Sequence, residues 1–127
     1  MSFFKTTTLA AALTAGLLLS AVAQSHPKLT SSNPADGSAS VAPSKIELHF
    51  SENLTTQFSG AKLIMTDMPG MPNSPMGVKA SISGSDDPKT MVITPASPLT
   101  TGSYKVEWRA VSSDTHPMTG NFSFKVK

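Results

Sequence analysis

The sequence predicts an all-β fold: a single antiparallel Greek-key β-barrel or sandwich, Ig-like or cupredoxin-like, with about seven strands. Three observations support this fold class. Beyond residue 25 the apolar residues show no helical periodicity. Short runs instead alternate between apolar and polar residues, which is typical of strands with one buried face. Clusters of Pro, Gly, Asn and Asp separate these runs at short intervals and indicate turns.

The expected strands follow one another from residue 45 to the end of the chain. One turn is expected at 33–37, before the first strand, and another at 84–88. The strands are expected at 45–50, 61–65, 78–82, 91–93, 104–110 and 122–126. Alternation places these side chains inward: Ile46, Leu48, Phe50, Tyr104, Val106, Trp108, Phe122, Phe124 and Val126.

Residues 1–25 have the features of a secretory signal peptide. Lys5 gives a basic start, an apolar run of Ala and Leu follows, and small residues precede the expected cleavage site. Cleavage fits after Ala23 or after Ser25, and we favour Ser25 because the cut then makes His26 the first residue. The apolar run is shorter than the roughly 20 residues of a spanning helix, and no later segment could span a bilayer. The mature protein is therefore expected to be one domain, residues 26–127.

Charge and cysteine content narrow the functional classes. Ten Lys and Arg residues stand against eight Asp and Glu, and loss of Lys5 leaves nine basic residues. They are scattered singly along the chain, whereas nucleic-acid binding requires a clustered basic face, so no nucleic-acid partner is expected. The chain has no cysteine, so packing or a ligand must supply the stability that disulfides give many small exported domains.

A loop rich in Pro, Gly and Ser carries four of the seven methionines: Met65, Met68, Met71 and Met76. Loops lie on the surface, so this segment offers soft thioether sulfur to solvent. Thioethers are ligands for soft cations, above all Cu(I). An adaptable methionine-rich surface for a protein partner is the alternative interpretation.

His26 precedes Pro27 at the expected cleavage junction. As the first residue, it can chelate one metal ion through its α-amine and its imidazole Nδ1. The amine has an ordinary pKa of about 7.7–8.0, so a divalent metal ion can displace its proton at neutral pH. Pro27 has no backbone N–H to deprotonate. The remaining ligands must therefore come from elsewhere in the fold.

Asp114 and His116 are the expected source of those ligands. In an extended chain the two side chains project to the same side, and Pro117 biases His116 toward extended geometry. Together with the amine and imidazole of His26, they form a nitrogen-rich donor set of the kind that suits Cu(II). A solvated Asp and His at a strand end is the alternative.

Hydrolytic sites find no support in the sequence, and the third histidine has an ordinary setting. His49 lies on the strand face opposite Ile46, Leu48 and Phe50, so we expect it to point outward and either to have a structural role or to support the metal ligands from behind. The sequence has no Gly-x-Ser-x-Gly motif for serine catalysis. It also has no His-x-x-x-His motif or cysteine cluster for zinc hydrolysis.

The motifs together resemble the CopC (PcoC-like) family of periplasmic copper-resistance proteins, over essentially the whole of residues 26–127. They are His-Pro-Lys-Leu at 26–29, Lys-Ile-Glu-Leu-His-Phe-Ser-Glu-Asn at 45–53, the methionine loop at 65–76, Pro-Lys-Thr-Met at 88–91 and Trp-Arg-Ala-Val-Ser-Ser-Asp-Thr-His-Pro at 108–117. The resemblance implies a Greek-key β-barrel with separate Cu(II) and Cu(I) sites.

Carried over by position, the resemblance implies a Cu(II) site of His26, Asp114 and His116. It implies a Cu(I) site drawn from four thioethers: Met65, Met68, Met71 and Met76. Some relatives have a histidine just before Ser-Pro-Met, where this chain has Asn73. An amide is a poor ligand for Cu(I), so thioethers alone are expected to supply that site.

The resulting expectation is a periplasmic copper carrier, not an enzyme. It would pass copper to partners, which the resemblance implies are an inner-membrane copper-import protein and other periplasmic copper-resistance proteins. Two alternatives remain open. One is a copper monooxygenase that acts on polysaccharide through an N-terminal histidine, and the other is a metal-free β-sandwich interaction module.

Overall fold

The computed structural model describes residues 26–70 and 75–127, and these residues form two β-sheets packed face to face. The strands are β1 (Leu29–Asn33), β2 (Ala39–Ser40), β3 (Ile46–Phe50), β4 (Gly60–Asp67), β5 (Met76–Val78), β6 (Ala80–Gly84), β7 (Thr90–Pro95), β8 (Gly102–Val111) and β9 (Pro117–Val126). Within the described ranges, no helix is long and apolar enough to cross a membrane. The all-β prediction is confirmed.

The chain passes repeatedly from one sheet to the other. One sheet has the order β1-β3-β7-β6, and the other has the order β2-β9-β8-β4-β5. The strands pair antiparallel, except that β2 pairs parallel with β9. Strands β4 and β8 are neighbours although β6 and β7, between them in sequence, lie in the opposite sheet. This non-sequential order is typical of a Greek-key sandwich.

The strand count differs from the prediction in two places. The run expected at 78–82 is two strands, because the chain crosses between the sheets at Lys79, so that β5 and β6 lie in different sheets. Strands β1 and β2 were not predicted. Their sequences, Leu-Thr-Ser-Ser-Asn and Ala-Ser, have almost no apolar content, so hydrophobic alternation gives no signal for them.

The core lies between the sheets and follows the predicted alternation. Eight of the nine side chains expected to face inward are buried, and Trp108 is half-buried. Tyr104 stacks on Phe124 with ring centroids 5.4 Å apart, and its hydroxyl donates a hydrogen bond of 2.6 Å to the carbonyl of Thr100. The phenol therefore gives the core its apolar ring without leaving a polar group unpaired.

Trp108 lies over a glycine on the neighbouring strand. Its ring meets Phe50 edge-on, with centroids 5.2 Å apart, and Gly120 is its cross-strand partner in β9. A Cβ on Gly120 would lie 2.4 Å from Cζ2 of Trp108, well inside van der Waals contact. Glycine is required here because the indole occupies the space that a side chain would need.

A tight turn connects β8 to β9. The N–H of Thr115 donates a hydrogen bond of 3.0 Å to the carbonyl of Ser112, and Thr115 has a φ of 64°. A β-branched residue is rare in this left-handed region because its Cβ crowds the backbone. The turn therefore holds Thr115 in a strained conformation.

We predict that Gly120→Ala lowers the free energy of unfolding by about 1–3 kcal/mol, because the new methyl group must displace the Trp108 ring. Urea unfolding measures this loss. Gly60→Ala is the control, because a Cβ on that strand glycine meets no atom within 4 Å. Equal effects of the two substitutions would contradict the proposed role of Gly120.

We also predict that Thr115→Asn is more stable than Thr115→Val by about 1–2 kcal/mol, because Asn tolerates the left-handed region and a β-branched side chain does not. Thermal unfolding at matched conditions measures the order. At Thr119, an exposed residue inside β9, the same pair should reverse, because strands favour Val over Asn. A Thr115→Val protein as stable as Thr115→Asn would show that the turn is not strained.

Candidate metal centre

His26 is fixed in place by the residues that follow it. The N–H of Lys28 donates to Oγ of Ser51 at 3.0 Å, and the N–H of Ser51 donates to the carbonyl of Lys28 at 2.9 Å. Pro27 is fully buried. These contacts tie the segment 26–28 to the end of β3, so the imidazole of His26 has a defined position although the segment precedes the first strand.

Asp114 and His116 are brought together by the β8–β9 turn. The hydroxyl of Ser112 donates to Oδ1 of Asp114 at 2.9 Å, and the N–H of His116 donates to the same oxygen at 3.3 Å. The expectation that an extended chain aligns Asp114 and His116 is wrong. The left-handed residue between them, Thr115, reverses the chain instead.

These three side chains converge on one point. Nδ1 of His26 lies 2.6 Å from Oδ2 of Asp114, and Nδ1 of His116 lies 4.0 Å from that oxygen. The two imidazole rings have centroids 5.5 Å apart. One donor atom from each residue falls within 4.8 Å of the others. Donors about 2 Å from a shared ion lie about 3–4 Å apart, so these three side chains would hold one metal ion after small rotations.

The position of Nδ1 of His26 favours a bound cation over a simple ion pair. This nitrogen is buried, and it makes no hydrogen bond of acceptable geometry, although Oδ2 of Asp114 lies within ion-pair distance. Hydrogen bonds are directional, so this proximity alone does not satisfy the ring nitrogen. A buried donor atom without a partner is costly, and a metal ion shared with the carboxylate removes that cost.

Asp114 is held as a carboxylate. Partial burial raises its pKa, but the hydrogen bonds from the Ser112 hydroxyl and the His116 N–H, together with the adjacent His26 ring, outweigh burial, and the pKa lies below its usual value. The side chain is 19% exposed, whereas that of His116 is 73% exposed. A negative charge therefore lies at the base of the candidate site, and His116 leaves one side open to solvent.

The methionines are arranged around the β4–β5 connection. Met65 is buried in the core, and its cross-strand partner Met76 is 51% exposed. Met68 follows β4 and packs partly buried against the core. Met71 and Asn73 lie outside the described residues. The structure thus places Met65, Met68 and Met76 near one end of β4, with Met65 facing the core and not the loop surface.

Sequence reasoning missed the residues that position the ligands. Ser112, Thr115 and Ser51 were not expected to have a role. Ser112 lies two residues before Asp114, a spacing at which serine and aspartate often form local hydrogen bonds. This pattern was the available signal. Nothing in the local sequence pairs Ser51 with Lys28, because the two residues meet only through the β1–β3 pairing.

Comparisons with known proteins identify the family of this chain. The CopC domain family matches residues 29–127. Copper resistance protein C of Pseudomonas syringae pv. tomato is 75% identical over 113 residues, which cover 89% of this chain and 90% of that protein. Copper resistance protein C of Escherichia coli is 58% identical over 120 residues, which cover 92% and 95%.

A solved structure has the same fold. The crystal structure of PcoC, a methionine-rich copper resistance protein from Escherichia coli, matches with a TM-score of 0.76 at 59% identity and covers 81% of this chain and 100% of that chain. The family match extends over the entire described sandwich, and both relatives are well above 30% identical. The resemblance found in the sequence is therefore confirmed, and this chain belongs to the CopC family.

Proposed function

We propose that this protein is a periplasmic copper carrier in copper resistance and homeostasis, with separate Cu(II) and Cu(I) sites and no enzymatic activity. The observation that carries the proposal is the convergence of His26, Asp114 and His116 from two segments far apart in the chain. The relatives named copper resistance protein C support copper as the cargo.

The proposed Cu(II) ligands are the imidazoles of His26 and His116, the carboxylate of Asp114, and the α-amine of His26. The amine becomes free when residues 1–25 are removed as a signal peptide, a step that lies outside the described residues and belongs to the proposal. Three nitrogens and one carboxylate oxygen suit tetragonal Cu(II). Buried Pro27 supplies no amide nitrogen, so the β8–β9 turn must complete the site.

The proposed Cu(I) site draws on the methionine loop. Met68 and Met76 are partly exposed and lie on either side of the loop, and Met71 lies between them in sequence. Met65 joins them only by turning its side chain out of the core, a movement that the unbranched thioether side chain permits. Asn73 adds no ligand for a soft ion. Thioether sulfur is therefore the whole donor set.

Two sites of different hardness suit a carrier. Nitrogen and carboxylate ligands favour Cu(II), whereas thioethers favour Cu(I), so copper that changes oxidation state also changes its preferred site. The open side at His116 gives a partner access to the ion. We propose that an inner-membrane copper-import protein and other periplasmic copper-resistance proteins exchange copper with this chain.

The Cu(II) site is tested by extending the mature protein with one Gly before His26. We predict that Cu(II) affinity falls about a hundredfold or more, equivalent to about 3 kcal/mol, because the chelating amine moves away from the imidazole. Competition titration measures the affinity, and electron paramagnetic resonance counts the coordinated nitrogens. One Gly added after Lys127 is the matched control. Unchanged affinity in the extended protein would refute the proposed amine ligand.

The Cu(I) site is tested by replacing Met68 and Met71 together with Leu, which conserves volume and removes sulfur. We predict that Cu(I) affinity falls at least about tenfold and that Cu(II) affinity is unchanged. Met91→Leu is the control, because Met91 is a buried core methionine outside the loop. Parallel losses at both oxidation states would mean that the two sites are not separate.

A further inference from the structure

Three charged or titratable side chains form a row on the outer face of β3: Lys45 just before the strand, then Glu47 and His49. Nζ of Lys45 lies 3.5 Å from Oε1 of Glu47, and Nε2 of His49 lies 3.7 Å from Oε2 of Glu47. His49 points outward, as expected from the sequence. These residues are not part of the site formed by His26, Asp114 and His116.

A chain of hydrogen bonds fixes the ring of His49. Nδ1 lies 3.0 Å from Oγ1 of Thr90, and the Thr90 hydroxyl donates to Oδ2 of Asp87 at 3.2 Å. A hydroxyl has a single proton, so with that proton on Asp87 the Thr90 oxygen accepts the Nδ1–H of His49, and the pair selects the Nδ1–H tautomer. The neutral imidazole therefore carries its lone pair on Nε2, the nitrogen that faces Glu47.

Thr90 and Asp87, which hold the imidazole of His49, are themselves fixed in position. Thr90 is buried at 7% exposure, and its N–H donates to the carbonyl of Asp87 at 3.0 Å. Oδ1 of Asp87 accepts the N–H of Lys89 at 3.0 Å. An imidazole that donates its second ring N–H to a fixed acceptor is the usual arrangement behind a metal-binding histidine.

We propose that Nε2 of His49 and the carboxylate of Glu47 form a second site for a divalent transition-metal ion, with water completing the coordination. Their 3.7 Å separation is too long for a hydrogen bond, but an ion about 2 Å from each atom bridges it. The two side chains are 38% and 30% exposed, so a hydrated ion reaches them.

The donor set defines the chemical class of the ion. One imidazole nitrogen and one carboxylate oxygen suit Zn(II) and Cu(II), and Cu(II) binds the same ligands more tightly than Zn(II). Two protein ligands make the site weaker than the site at His26. Lys45 competes with the metal ion for Glu47, because its ammonium group contacts the same carboxylate. Its side chain is 59% exposed and is free to swing away when an ion binds.

The test uses a His26→Gln/His116→Gln protein, in which His49 is the only histidine left. Zn(II) is titrated while nitrogen-15 NMR follows both ring nitrogens of His49. We expect a saturable one-to-one shift at Nε2, with Nδ1 retaining its proton. The absence of a saturable shift, or binding through Nδ1, would overturn the proposal. The experiment does not depend on whether the carrier function is correct, because the proposed Cu(II) site has been removed.

Substitutions around His49 assign the second ligand and its competitor. In the same background, Glu47→Gln should weaken Zn(II) binding about tenfold or more, and Lys45→Gln should strengthen it about threefold, since it removes a competing cation. Glu107→Gln is the matched control, an exposed strand carboxylate on the other sheet. Equal affinity of the Glu47→Gln and Glu107→Gln proteins would exclude Glu47 as a ligand.

Discussion

The pairing of β8 with β9 is the contact on which the rest of this molecule depends. It runs without a break from Gly102 opposite Val126 to Val111 opposite Pro117. Its inner face supplies Tyr104 and Phe124, which stack in the core, and its far end forms the turn that carries Asp114 and His116. Core packing and the candidate metal site thus share one hairpin, because the register that buries the aromatic rings also positions Asp114 and His116.

Hydrophobic alternation was enough to predict the fold class and nearly all of the inward side chains, because a strand with one buried face leaves a period-two pattern. It could not find β1 or β2, which are polar strands that exist through pairing with β3 and β9. The sequence pattern also gave no sign that the run at 78–82 divides at Lys79 into two strands. A change of sheet alters which partner a strand meets and leaves the local pattern of residues almost unchanged.

The candidate metal site was predictable in its residues but not in its geometry. Chemistry alone pointed to His26, Asp114 and His116, because few residue types bind Cu(II) well. The mechanism that brings them together depends on a turn with Thr115 in the left-handed region. Threonine is rarely found there, so the sequence favoured an extended chain. The β8–β9 register and the hydrogen bonds around Asp114 hold the turn. The Ser112–Asp114 spacing hints at one of these bonds, but the register is not readable from the six residues at 112–117.

The attachment of segment 26–28 has a consequence for how the proposed cargo would be released. The segment is joined to Ser51 by two hydrogen bonds and anchored by Pro27, whereas the other proposed Cu(II) ligands belong to the most extensively paired hairpin. Local opening of such a segment costs far less than global unfolding. If copper is held as proposed, a protein that docks on this end would displace His26, open the coordination sphere and take the ion while the sandwich stays intact. The most weakly attached part of the proposed site is thus the part through which the ion would leave.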